Sequence, residues 1–249
     1  MEDRRVGRFN NKTVLITGAA RGQGAEEARL LVAEGARVML ADVREEEGRA
    51  LAASLGARAV FQHLDVADQA SWQSAIELCE NMGGLNGLVN NAGIYRPTAI
   101  QETDAALMQA HFQANQLGVF LGVKTAAPLL KRTNGGSIVN ISSTAGLQGI
   151  PNAIAYVGTK WAVRGMTKAA AIKLASSNIR VNSVHPGLID TEMLGARSRE
   201  DLERRSALIP LKRMGTAADV AHLVLFLLSD ESAYISGAEI SIDGALSSL

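Results

Sequence analysis

Seven short apolar runs recur along the chain, at 12–17, 37–42, 58–65, 87–90, 137–142, 179–184 and 239–242. Longer, alanine-rich stretches with helical spacing separate most of them, at 23–34, 44–55, 68–81, 104–131, 153–176 and 216–229. Strands that alternate with helices are the signature of repeated β-α units, and such units build a mainly parallel sheet with helices on both faces. The spacing therefore predicts an α/β, doubly wound sheet of seven mainly parallel strands. No proline- or glycine-rich linker interrupts it, so residues 1–249 read as one domain. One connection, 186–215, lacks a strand, and long strand-free segments are commonly lids or binding loops. A substrate loop is expected at about 188–210.

Composition narrows the function. Twenty-five basic residues balance twenty-five acidic ones without long runs of either sign, which points away from nucleic acid and from anionic membrane surfaces. The longest apolar run, LVLFLL at 223–228, is too short to span a bilayer, and the amino terminus MEDRRVGRFNNK has no apolar segment like that of a signal peptide. A single cysteine, Cys79, excludes an intrachain disulfide and suits a reducing compartment. The expectation is a cytoplasmic protein whose partners are small molecules.

The first strand runs into TGAARGQG at 17–24, directly before a helix. Glycines there let the backbone approach a ligand, and a helix amino terminus offers free N–H groups and a positive dipole end to a phosphate. Gly18, Gly22 and Gly24 are spaced G-x-x-x-G-x-G rather than G-x-G-x-x-G, so position after a strand carries the assignment. Asp42 ends the second strand eighteen residues after Gly24, where a carboxylate can accept hydrogen bonds from the adenosine ribose of a dinucleotide. Together these features make the sheet Rossmann-type. Asp65, at the end of the third strand, could reach the adenine edge or could start a turn or cap the next helix. Val43 and Val66, beside these carboxylates, are counted with Arg21 and Gln23 among the cofactor contacts. Asp42 favours NAD by repelling a 2′-phosphate, whereas Arg21 would attract one; the fixed carboxylate should outweigh the flexible arginine.

Tyr156 and Lys160 lie four residues apart and share a helix face. A phenol titrates near 10, and a neighbouring ammonium lowers that value, so the pair suits proton transfer. The same spacing also occurs in ordinary amphipathic helices. With NNAG at 90–93, QANQLGVF at 113–120, SIVNISSTAG at 137–146, YVGTK at 156–160 and HPGLIDTEM at 185–193, nearly the whole chain resembles the short-chain dehydrogenase/reductase family. It is most similar to bacterial hydroxysteroid and related secondary-alcohol dehydrogenases.

The resemblance implies catalysis by Asn115, Ser143, Tyr156 and Lys160. Tyr156 would be the general acid/base and Ser143 would hydrogen-bond the substrate oxygen. Lys160 would lower the tyrosine pKa and bind the nicotinamide ribose, and Asn115 would hold a relay water. It further implies cofactor contacts at Asn91, Ala92, Gly93, Pro186, Gly187, Ile189 and Thr191. Subunits in this family usually pair through the long helices at 104–131 and 153–176, which implies a homotetramer. Leu147, Gln148, Ile150, Leu188, Met193 and Leu194 flank these motifs, so the expected substrate is a small hydrophobic secondary alcohol or its ketone. A carrier-linked 3-ketoacyl reductase and a non-catalytic dinucleotide sensor are the alternatives.

Three features depart from the family pattern: Gln23 between the last two glycines, His185 where serine or alanine usually precedes the proline, and Ala245 in place of a second glycine. His185 could approach the site or simply pack. His63, His111 and His222 have no metal-ligand spacing, and no metal is expected. RSREDLERRS at 197–206 could grip an anion, but Ser198 with Asp201, and the pairs Glu200–Arg204 and Asp201–Arg205, fit a capped, solvated helix better.

Overall fold

The computed structural model describes residues 7–195 and 198–248, so the expectations that touch residues 1–6 and Arg197 lie outside the described residues. Strands β1 (Thr13–Thr17), β2 (Arg37–Asp42), β3 (Ala59–His63), β4 (Gly87–Asn90), β5 (Gly136–Ile141), β6 (Ile179–Pro186) and β7 (Glu239–Ile242) form one sheet in the order β3-β2-β1-β4-β5-β6-β7. Every pairing is parallel. Helices α1 (Gly22–Ala33), α2 (Glu45–Leu55), α3 (Gln69–Asn81), α4 (Ala105–His111), α5 (Gly118–Arg132), α6 (Ile154–Leu174), α7 (Arg199–Leu208) and α8 (Ala217–Leu228) fill the connections.

Successive strand residues point to opposite faces, and the two cores follow that alternation. Ile16, Leu40, Val139 and Val184 pack with Ala28 and Leu31 of α1 and Val224 and Leu225 of α8. On the other face, Leu15, Met39, Leu88 and Ile138 pack with Trp72 of α3 and Leu121 and Leu129 of α5. Strand order reverses between β1 and β4, and a crevice opens beyond the carboxyl ends of strands at such a switch point.

Four local differences from the sequence reading have physical causes. The single helix expected at 104–131 is α4 and α5 joined by a π segment, Phe112–Leu117. The wider turn brings Asn115 fully inside, where its Oδ1 accepts from Ile94 N at 2.8 Å and its Nδ2 donates to Ile94 O at 3.0 Å. Strand β3 stops at His63, before Asp65, whose Oδ1 accepts from Ala67 N at 2.9 Å and closes a turn. Strand β6 runs on to Pro186 because β7 pairs with its last residues. In α7, Ser198 accepts from Asp201 N at 3.2 Å as the cap, but Arg204 reaches Asp201 at 2.6 Å rather than Glu200.

Glu27 of α1 is fully buried, and neither carboxylate oxygen has a hydrogen-bond partner among the described residues. Burial pushes its pKa from 4.5 up to about 8. The folded chain therefore holds the Glu27 proton after the unfolded chain has lost it. That stability is fully present below pH 4.5 and disappears as pH rises through about 8. At about 1.4 kcal/mol per pKa unit the loss is several kcal/mol. Glu27→Gln is expected to match the parent in denaturant unfolding near pH 4.5 and to exceed it increasingly towards pH 8.

Candidate functional site

Helix α1 begins at the glycine turn, and its cap residue Arg21 offers no side-chain acceptor to the first N–H groups. By contrast, α3, α4, α7 and α8 are capped by Asp68, Asp104, Ser198 and Thr216. The free donors of α1 and the positive end of its dipole suit an anion. Gly18 has φ +65°, and a Cβ there would lie 2.8 Å from Ala92 Cα, so only glycine lets β1 turn this tightly against the end of β4. Gly24 serves a different purpose: a Cβ would meet the Gly18 carbonyl and come within 2.7 Å of Asn91 Nδ2, so its absence lets α1 sit against the turn.

From this turn a cleft of about 860 Å³ runs along the carboxyl ends of the strands. Its wall includes Gly18, Arg21, Gly22, Gln23, Asp42, Val43, Asp65, Val66, Asn91, Ala92 and Gly93 at one end. Ser143, Tyr156, Lys160, Pro186, Gly187, Ile189 and Thr191 lie along the rest. Of the candidate catalytic and cofactor residues, Gly24 and Asn115 do not line it. Asn91 Nδ2 donates to Thr17 O and Gly18 O at 3.0 and 3.1 Å, tying β4 to the glycine turn.

Asp42 is 8% exposed, and its two oxygens accept from Ala20 N and Arg44 N at 2.9 and 3.0 Å. Main chain thus fixes the carboxylate at the cleft wall. Two arginines share this end, and both are paired: Arg21 with Glu192 across the cleft, and Arg44 with Glu47 at 3.0 Å. The uncapped helix, the glycine-only turn and the fixed carboxylate fit the pyrophosphate and a ribose of a dinucleotide.

At the other end α6 presents Tyr156 and Lys160, 9% and 4% exposed, one turn apart. Ser143 lines the cleft beside Tyr156, its hydroxyl accepting from Ala145 N at 3.1 Å. Burial pushes the phenol up to about 12, a rise the neighbouring Ser143 side chain opposes and Tyr95 reinforces. Sequence reasoning expected Lys160 to lower this value, and in the folded chain burial outweighs any such effect. The ammonium instead donates to Ile141 O at 2.8 Å and sits over the face of the tyrosine ring, 5.6 Å from its centroid. Burial pushes Lys160 itself down to about 8, which still leaves it largely charged at neutral pH. Asn115 lies behind, its amide committed to Ile94 and, at 3.3 Å, to Thr159 Oγ1.

Several wall residues escaped the sequence reading. Tyr95 stacks edge-on against Tyr156 with centroids 4.9 Å apart. Its signal was scarcity, since the chain holds three tyrosines and this one directly follows NNAGI. Arg96, Leu208 and Leu246 also line the cleft, whereas Leu147 does not. Leu246 directly follows Ala245, whose departure from the family pattern was noted, but nothing there marked a side chain of the cleft. Among the described residues no group of three or more His, Cys, Asp or Glu could hold a metal, and no helix is long and apolar enough to cross a membrane.

A cleft shaped for a dinucleotide at one end, with a buried phenol and ammonium and a half-buried hydroxyl at the other, suits hydride transfer coupled to proton transfer, the work of a dinucleotide-dependent oxidoreductase. The family profile described as enoyl-(acyl carrier protein) reductase matches residues 18–247. The chain is 44% identical to trans-4-hydroxycyclohexanecarboxylate dehydrogenase of Sinomonas cyclohexanicum, over 95% of this chain and 93% of the relative. It is 43% identical to a 3-alpha-(or 20-beta)-hydroxysteroid dehydrogenase of Mycobacterium bovis, over 96% and 90%. Cyclopentanol dehydrogenase of Comamonas testosteroni is 41% identical over 96% and 98%. Among solved structures, levodione reductase superposes with a TM-score of 0.92 at 32% identity, covering 96% of this chain and 99% of that one. The chain belongs to the short-chain dehydrogenase/reductase family, whose dehydrogenases use NAD or NADP.

Proposed function

We propose that this oxidoreductase interconverts a cyclic, mainly apolar secondary alcohol and its ketone with NAD, and that Tyr156 transfers the proton. The observation that carries the reading is the buried Tyr156, in one cleft wall with Ser143 and flanked by the Lys160 ammonium, at the inner end of the dinucleotide-shaped cleft. The relatives named above for cyclohexane, steroid and cyclopentane alcohols support the substrate class. So does the wall beside Tyr156, where Tyr95, Ile150, Leu188, Met193 and Leu208 are apolar or aromatic.

In oxidation Tyr156 Oη takes the hydroxyl proton, while the Ser143 hydroxyl donates to the substrate oxygen as it becomes a carbonyl. In reduction Tyr156 returns the proton and Ser143 polarises the carbonyl. Bound in the cleft, the nicotinamide ring supplies the hydride acceptor or donor. Lys160 contributes a positive charge that favours the phenolate, and Asn115 fixes the Ile94 main chain behind it. The bridge between Ile189 and Gly215 uses Leu188 O and Asp190 N, at 3.0 and 2.9 Å, which leaves the Ile189 main-chain groups directed the other way. They are the groups we assign to the nicotinamide carboxamide. Within the expected loop at about 188–210, Leu188, Met193, Leu194 and Leu208 line the substrate side of the cleft, and the chain acts as one catalytic domain. The cytoplasm, where nicotinamide dinucleotides circulate, is the compartment that fits this activity.

Asp42 favours NAD. Two like charges 4 Å apart repel by roughly 4 kcal/mol at an effective dielectric constant near 20. The arginines that would offset this repulsion of a 2′-phosphate are themselves paired with Glu192 and Glu47. Homotetramers form part of the same reading. Met108, Phe112 and Phe120 along α4 and α5, and Ile154 and Trp161 on α6, are 38 to 49% exposed on helices that an interface would cover.

Five outcomes are expected. Nicotinamide absorbance with a panel of alcohols should show cyclic secondary alcohols turning over far better than polyols or sugar phosphates. In that assay Tyr156→Phe should lose at least a hundredfold in kcat while still binding cofactor. Oxidation should accelerate and reduction slow as pH rises, because oxidation consumes the phenolate and reduction the phenol. For the cofactor, kcat/KM should favour NAD over NADP by tenfold or more, and Asp42→Ala should narrow that ratio; a parent that prefers NADP refutes the assignment. Light scattering at micromolar concentration should give four times the 26.3 kDa chain mass, and a monomer would overturn the tetramer.

A further inference from the structure

His185 is fully buried, does not line the cleft, and stands one residue before Pro186 at the end of β6. Its Nδ1 lies 3.0 Å from Ser143 O and its Nε2 2.9 Å from Ser183 Oγ. A carbonyl can only accept, so Nδ1 carries the proton. In the neutral ring Nε2 then accepts from the Ser183 hydroxyl. Burial lowers the pKa of the ring and so favours this neutral form.

The position of the ring gives the contact its significance. In the ladder between β5 and β6 every second residue of β5 bonds to β6, as Gly136 N does to Asn178 O at 3.0 Å and Ser142 N to Val184 O at 2.8 Å. The next rung would require an N–H from residue 186, and proline has none. Main-chain pairing thus ends one residue short of Ser143, which lines the cleft beside Tyr156. The ring of His185 carries the hold of β6 one residue further, onto Ser143 O. On the remaining sides side chains do similar work: Ser142 Oγ donates to Lys160 O at 3.0 Å and Arg164 Nη1 to Gly146 O at 2.7 Å.

We infer that His185 is a positioning residue for the reaction: where residue 186 cannot donate to Ser142 O, its Nδ1–H holds the next carbonyl, Ser143 O, and so keeps Ser143 in register with Tyr156. This rests on the roles proposed for Ser143 and Tyr156. A misplacement of about 1 Å in such a group can cost on the order of a hundredfold in rate.

The test compares three variants in steady-state kinetics with cyclopentanol and NAD, with cofactor affinity measured separately by fluorescence titration. His185→Phe keeps an aromatic ring but no N–H, and should lower kcat ten- to a hundredfold with cofactor affinity within twofold of the parent. His185→Asn places an amide N–H where Nδ1 stood and should recover most of kcat. His185→Gln places its amide at the Nε2 position and should not. If the Phe variant fails to fold, the contrast between Asn and Gln still decides. Equal activity in Asn and Gln, or a folded Phe variant within twofold of the parent, would overturn the inference. In a Ser143→Ala background, substitution of His185 should cost nothing further, whereas an undiminished additional loss would mark a general packing role and also overturn it. If Ser143→Ala itself stays fully active, the proposed function fails first, and the two failures are thereby distinguished.

Discussion

A buried ammonium is among the costliest groups a fold can hold, and Lys160 is 4% exposed. Its position is possible because β5 ends where it does, turning the Ile141 carbonyl towards Nζ at 2.8 Å, and because Tyr156 offers its ring face. Much of the cleft's inner wall follows from seating that one group. Helix α6 must meet the carboxyl ends of β5 and β6, Thr159 must meet Asn115, and the chain at 142–146 must wrap the helix closely enough for Ser142 to reach the Lys160 carbonyl. Burial then drives the two ionisable groups towards neutrality from opposite sides, the phenol upward and the ammonium downward. Groups so perturbed in a cleft are those whose protonation a bound ligand can change.

The two ends of the cleft are built by different means. At the dinucleotide end, main-chain N–H groups, glycines and the pinned carboxylate of Asp42 set the shape. At the substrate end, side chains from separate loops meet: Tyr95 after β4, Ile150 before α6, Leu188 and Met193 after β6, and Leu246 near the carboxyl terminus. Loops tolerate exchange where a sheet does not. Relatives named for cyclohexane, cyclopentane and steroid alcohols match this chain along nearly its whole length, so the scaffold is common to proteins of differing named substrates. The Arg21–Glu192 pair joins the two ends, linking the glycine turn to the loop that carries Met193.

Most elements were readable from periodicity because the central strands are covered on both faces and most helices have one apolar side. The errors fell where a long-range contact changes local geometry. The run 104–131 is continuous in helical character, and nothing in its spacing announces the π segment that turns Asn115 inward to Ile94. Arg204 stands four residues from Glu200 and three from Asp201, and both spacings are compatible with a helix pair; the conformation of the exposed turn selected Asp201. His185 could not be placed from sequence, because its meaning depends on a ladder rung that fails at Pro186 and on a carbonyl in another strand.

The sequence by itself determined the alternation of strands and helices, the glycine turn after β1, the acidic end of β2, and the spacing that puts a tyrosine and a lysine on one helix face. These are local properties, fixed by backbone sterics, helical period and residue chemistry. Tertiary structure alone decided the protonation tendencies and the partners. It set that Lys160 would donate to the Ile141 carbonyl while lying over the Tyr156 ring, that Arg21 would be tied to Glu192, and that Glu27 would lie buried without a hydrogen-bond partner among the described residues. The physical reason is that desolvation and hydrogen-bond geometry depend on which distant segments pack together, and sequence spacing within a single element carries no record of that.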